Sequence, residues 1–209
     1  MKKFLVLSAF SLSAIALAQK TNFGLKAGYV MSTINEKYKS EKSSNDPKSS
    51  FYIGGFVERK INDKWALQGE LLYADLGAKS EQEGTLVVND EVINYNAEAE
   101  INLSTILIPI GVKYYADKNL SINGGVAFGF YVDREIKVKV DGYGESNQIA
   151  NAYLKTFNFA PYLGLEYKFT EKLFVDTRYN FGLANISQLE QDGYTMRNNF
   201  WQIGLGYKF

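Results

Sequence analysis

The chain reads as an all-β protein: an eight-stranded antiparallel up-and-down transmembrane β-barrel preceded by a cleavable signal peptide. Three observations carry that expectation. Alternating runs of roughly ten residues, the length of a tilted membrane strand, recur along the sequence. The connections between them alternate between short turns and long polar segments. The last run, Asn199 to Phe209, is strictly two-faced: Trp201, Ile203, Leu205, Tyr207 and Phe209 form an apolar face, and Gln202, Gly204, Gly206 and Lys208 the other.

The N-terminus carries Lys2 and Lys3, then an apolar run from Phe4 to Leu17, closing in Ala16-Leu17-Ala18 before Gln19. A basic start, an apolar stretch shorter than the roughly 18–20 residues of a spanning helix, and a small-x-small site describe a secretory signal peptide. Residues 1–18 are therefore set apart, and residues 19–209 form one barrel domain.

Composition narrows the function classes. Cys and His are both absent, so disulfides, thiolate metal sites and His-dependent triads or zinc centres are not available. No catalytic residue, cofactor or metal site is expected. Lys plus Arg equal Asp plus Glu at 23 each, and no global field draws the chain to nucleic acid. The 14 Phe, 15 Tyr, 18 Gly and only 3 Pro suit turn-rich β structure. A mean hydropathy of −0.21 fits a barrel in which every second residue faces inward.

The first run, Asn22 to Ser32, sets Phe23, Leu25, Ala27, Tyr29 and Met31 against Gly24, Lys26 and Gly28, and is followed by a polar loop from Thr33 to Ser50. The second, Phe51 to Ile61, is ambiguous in phase; Ile53, Gly55 and Val57 outward would leave Glu58 inward. Asn62-Asp63 turns into Trp65 to Leu76, with Leu67, Leu71 and Tyr73 opposite Gln68, Glu70 and Leu72. A long acidic segment leads to Leu103 to Ala116, with Ile106, Ile108, Ile110, Val112 and Tyr114 outward and Pro109, Gly111 and Lys113 inward. Proline cannot donate to the ladder, so a bulge or a missing bond is expected at Pro109. Asp117-Lys118-Asn119 turns into Leu120 to Val132. After a third long segment comes Leu154 to Phe169, then Thr170-Glu171-Lys172 and Leu173 to Leu183. Ala184 to Met196 is a shorter polar loop before the final run.

A soluble barrel would bury the apolar face, whereas a membrane barrel exposes it to lipid. Inversion is favoured by Gly and mixed charges on the polar face. It is favoured also by aromatics near run ends, Trp65, Tyr73, Tyr114, Tyr167, Tyr207 and Phe209, as interfacial girdles. Lys26, Glu58, Glu70, Lys113, Glu166, Asp176 and Arg178 then point into a lumen just wide enough for side chains, where they should cross-pair.

Two long segments carry hairpin signals, at Asn89-Asp90 and Asp141-Gly142. A protruding sheet with an edge open to an extended partner segment is expected there. The first of these segments is acidic, with Glu81, Glu83, Asp90, Glu91 and Glu98 as a candidate contact surface for a basic partner or divalent cations, though the spacing matches no EF-hand and solvated charge is the plainer reading.

The terminal pattern ending on Phe209 resembles the C-terminal signal of bacterial outer-membrane β-barrels, read by the barrel-assembly machinery. The whole domain resembles small outer-membrane barrels, most similar to the porin family or PorT-like proteins, with an architecture like OmpX and OmpA barrel domains. Phe51-Tyr-Ile-Gly-Gly-Phe, Leu67-Gln-Gly-Glu-Leu-Leu-Tyr, Ile108-Pro-Ile-Gly-Val-Lys-Tyr-Tyr and Tyr162-Leu-Gly-Leu-Glu-Tyr carry that resemblance. It implies an integral outer-membrane protein in contact with outer-membrane lipid, both termini periplasmic. Barrel enzymes of similar architecture use His, which this chain lacks. The expected role is structural or surface-interacting, through a protein partner outside the cell or in the envelope. The alternative is a narrow pore for small solutes or ions.

Overall fold

The computed structural model describes residues 21–88, 91–140, 144–149, 153–189 and 193–209, with side chains described outside 86–95 and 144–149. The expected signal peptide, the hairpin tip at Asn89-Asp90 and the turn at Asp141-Gly142 lie outside these residues. Ten strands form one sheet: β1 (Thr21–Tyr38), β2 (Glu41–Ser44), β3 (Asp46–Lys60), β4 (Trp65–Val88), β5 (Glu91–Tyr115), β6 (Leu120–Val140), β7 (Gly144–Ile149), β8 (Phe157–Lys168), β9 (Leu173–Asn180) and β10 (Tyr194–Lys208). The order β10-β9-β8-β6-β5-β4-β3-β1 closes on itself through β10–β1 pairing, so eight antiparallel strands make the ring; β2 and β7 are short additions. The closing seam runs from Gly24↔Lys208 to Tyr38↔Tyr194.

Local chemistry sets the three short turns. Asn62 Oδ1 accepts from the Lys64 and Trp65 amides at 2.9 Å each, Asp117 Oδ1 from Asn119 N, and Thr170 Oγ1 from Lys172 N and Leu173 N. Side chains thus do the work of backbone turn bonds. At the other end the strands run further than the alternation indicated. The expected loop from Thr33 to Ser50 is instead the end of β1, all of β2 and the start of β3, and β10 begins at Tyr194 rather than Asn199. Two strands are shorter: β8 starts at Phe157, Leu154 making only an isolated bridge to Ser187, and β9 stops at Asn180.

Pro109 leaves its mark on one side only. The β4–β5 ladder passes Gly69↔Ile110 and resumes at Leu72↔Leu107 in the same register, while Pro109 still pairs with Ala127 of β6. The bulge falls instead at Ser104/Thr105.

Phase is uniform around the ring, including β3, where Tyr52, Phe56 and Glu58 are buried and Phe51, Ile53 and Val57 exposed. Large apolar side chains face out: Leu71 and Leu163 are each 61% exposed, while Lys113 and Glu58 inside are at 0%. The apolar face is therefore the outer wall. Trp65–Tyr114 (4.8 Å), Tyr167–Phe169 (5.5 Å) and Tyr207–Phe209 (6.0 Å) ring the short-turn end. Phe130–Phe157 (5.5 Å) and Tyr179–Phe181 (4.7 Å) lie toward the other, and the belt stops where Tyr73 and Ile106 give way to Asp75 and Ser104 on the same face.

Candidate functional site: the filled lumen and the projecting sheet

Inside the barrel, charges gather into two closed squares. In the first, Lys113 Nζ lies 2.6 Å from both Glu58 and Glu166, and Lys208 Nζ lies 3.1 and 3.4 Å from the same two carboxylates. In the second, Lys26 reaches Glu70 (3.1 Å) and Asp176 (2.9 Å), and Arg178 reaches them at 2.7 and 3.0 Å. Each square holds two cations and two anions, so each is neutral. Buried charge is tolerated when paired in this way and heavily penalised when not. The seven residues read as inward from the sequence all stand in these squares. Lys208 completes the first; the final run placed it on the polar face, and the same alternation that located Lys26 was its signal.

Neighbours hold the squares in place. The Tyr115 hydroxyl donates to Glu58 Oε1 (2.7 Å), Gln68 Nε2 to Glu70 Oε1 (2.6 Å), and the Tyr52 hydroxyl to Asp176 Oδ1 (3.3 Å). Lys113 and Lys208 lie 5.8 and 5.2 Å from the Phe174 ring centre, and Arg178 4.9 Å from that of Tyr162. Inward glycines make room for these rings: a Cβ on Gly206 would fall inside Phe174, and one on Gly24 against Phe56.

Toward the long-connection end the lumen turns apolar, which the sequence reading did not anticipate. Ile34, Leu72, Leu76, Leu103, Leu107 and Phe200 pack together there, capped by Leu154 and Ile186 from the segments flanking β8 and β10. Ile186 falls in the segment expected as a polar loop, and Leu154 opens the expected run to Phe169 but lies before β8 itself, so alternation signalled neither as a cap.

Beyond the belt, β4, β5 and β6 continue as a paired sheet, from Lys79↔Glu100 to Val88↔Glu91 and from Glu100↔Lys137 to Ala97↔Val140, with β7 along the β6 edge. Gly77, at φ 145°, marks the point where β4 leaves the ring; its amide and carbonyl are both bonded by the Ser32 hydroxyl. The candidate acidic surface takes a different character here. Glu81 stands opposite Glu98, but Lys139 faces Glu98 from the other side and Lys137 faces Glu100. Rows of alternating sign replace a uniformly acidic patch. Glu83 is exposed beside them, the side chain of Glu91 is not described, and Asp90 lies outside the described residues. Trp201, Ile203, Leu205, Tyr207 and Phe209 all face outward on β10, and the Phe209 amide bonds the Phe23 carbonyl across the seam. Among the described residues no cluster of His, Cys, Asp and Glu suited to a metal occurs.

A closed antiparallel ring, apolar outside, polar and filled within, defines a membrane β-barrel of the outer-membrane class. The chain belongs to the family described as outer membrane protein beta-barrel domain, which matches residues 17–188. That family places it in the bacterial outer membrane, a coarser grouping than the PorT-like one. No curated protein matches the chain in sequence. Among solved structures it is similar to Neisserial surface protein A, at 12% identity and a TM-score of 0.51 over 90% of this chain and 97% of that one. It is similar also to Ail, the attachment invasion locus protein of Yersinia pestis, solved in complex with the heparin analogue sucrose octasulfate: 16% identity, 91% and 99% coverage, TM-score 0.49. At such identities the likeness is one of fold.

Proposed function

We propose that the protein is a non-enzymatic surface-interaction barrel that offers the β4–β5–β6 sheet to a protein partner, both termini lying on the periplasmic side. The observation that carries this reading is the length of β4 and β5, 24 and 25 residues. Roughly ten residues suffice to cross a bilayer in a tilted strand, so more than half of each strand is spent outside it. Above Lys79, where pairing with β3 ends at Asp46, β4 is paired on its β5 side only among the described residues. Such an edge accepts an extended segment by strand addition. Short turns at one end and long connections at the other support the orientation, because periplasmic turns are the short ones.

The test compares cells displaying the whole protein with cells displaying a form in which Glu81 to Glu98 is removed and Ser80 is joined to Ala99 by a two-residue turn. Retention of extracellular or envelope proteins should be lost while the barrel still folds. Unchanged retention overturns the reading.

A further inference from the structure

On the opposite side of the barrel mouth, the outer faces of β1, β2 and β10 enclose a groove of about 660 Å³. Register sets Arg197 opposite Asn35, and Lys37 opposite both Thr195 and Lys42. Lys37, Lys42 and Arg197 therefore share one exposed face. No carboxylate among the described residues pairs with any of them. The acid bordering the groove, Glu36, is engaged elsewhere, accepting from the Tyr194 hydroxyl (2.8 Å) and Asn45 Nδ2 (3.1 Å). Across the barrel the exposed lysines differ: Lys79 pairs with Glu100 and Lys137 with Glu135, each at 3.7 Å.

The groove opens downward onto lipid-facing side chains. Phe181 and Leu183 line it and are about half exposed, with Tyr179 stacked edge-on against Phe181. Gly182 N bonds Asn199 Oδ1, which places Phe181 beside Asn199, two residues below Arg197 on β10. The separation along the strand is roughly 7 Å, about the distance from the upper acyl chains of a lipid to its headgroup. Three cations that no described carboxylate pairs, above an apolar rim, match an amphiphile whose head is strongly anionic. Guanidinium and ammonium groups together suit phosphate oxygens, as donors and as countercharge.

We propose that this groove binds the phosphorylated headgroup of a membrane lipid, with the acyl chains lying along Phe181 and Leu183. The inference uses the membrane placement of the barrel and is independent of the partner-binding sheet.

The experiment titrates the detergent-purified protein with lipid A, a bis-phosphorylated glycolipid, with its dephosphorylated form, and with inorganic phosphate as competitor, counting bound lipid by native mass spectrometry. The triple variant K37Q/K42Q/R197Q is compared with K79Q/K137Q/K139Q on the other wall. Lipid A should bind wild type and the K79Q/K137Q/K139Q control alike and lose roughly 100-fold in affinity on the triple variant, about fivefold per charge. The dephosphorylated form should bind wild type no better than lipid A binds the triple variant. Equal affinity for wild type and triple variant overturns the proposal, as does displacement of lipid A by equimolar inorganic phosphate, which would mark a site for free anions. Melting temperature establishes that each variant is folded. If the triple variant does not fold, Arg197→Gln alone should lose roughly fivefold, and no loss overturns the proposal.

Discussion

Lys208 and Glu58 lie 150 residues apart in sequence and meet at 3.1 Å inside the barrel. The contact ties the closing strand to β3 across the mouth of the short-turn end, and through Glu58 it reaches Lys113, which is shared with Glu166. Four strands, β3, β5, β8 and β10, are thus joined by one neutral cluster. Removing any member leaves two like charges sharing a single counterion.

Lys113→Met tests this most directly, because Lys113 touches both carboxylates and is fully buried. The expected loss is about 3–5 kcal/mol, the penalty for breaking a buried pair from one side, measured by urea unfolding in vesicles. The double variant Lys113→Met/Glu166→Leu should recover part of it, since charge balance with Lys208 and Glu58 returns. A double variant weaker than wild type by the full sum of the Lys113→Met and Glu166→Leu losses would argue against a coupled square.

Gly206 lies against Phe174, where a Cβ would overlap the ring. Gly206→Val should cost about 1–3 kcal/mol by overpacking, and Phe174→Leu in the same chain should relieve it. Gly55 has room, its nearest neighbour to an added Cβ being the Gly24 carbonyl oxygen at 3.6 Å, so Gly55→Ala should be close to neutral in the same unfolding assay.

The outward phase carries its own test. Leu71 is 61% exposed midway along the belt that runs from Trp65 to Asp75 on β4, and Leu71→Arg should destabilise the barrel in a bilayer by about 2–4 kcal/mol, as expected for a charge placed near the midplane on the lipid face. Glu81→Arg, on the same face of β4 above the belt, should change stability little. Equal effects would place the belt elsewhere.

Current across planar bilayers should be silent for the folded protein. The two charge squares and the apolar cluster under Leu154 and Ile186 occupy the lumen in series. Steady ion-dependent steps, altered by replacing Arg178 or Glu70, would instead support a narrow pore.

Alternation in the sequence carries much of this barrel. Period two reports which face a residue takes, so the inward set from Lys26 to Arg178 and the outward set from Trp201 to Phe209 are legible wherever one face is apolar. The ambiguous run at 51–61 became legible only through its neighbours, since Gly54 and Gly55 blur the pattern and pairing with β1 and β4 decides it. Above the membrane neither face needs to be apolar: hairpin signals marked the extensions of β4, β5 and β6, whereas those of β1 and β3, within the expected loop from Thr33 to Ser50, leave no hydrophobic trace.

By itself, then, the sequence determined the eight strands of the ring, the turn chemistry at Asn62, Asp117 and Thr170, and the polarity of each wall, because these depend on residues near one another in the chain. Partnership was decided by tertiary structure alone. Glu98 looks like part of an acidic segment until register brings Lys139 beside it. Lys37, Lys42 and Arg197 become one patch only when β10 closes on β1. Lys208 joins Glu58 for the same reason: charges interact through space, and the ring's closure and shear, not chain order, set which ones meet.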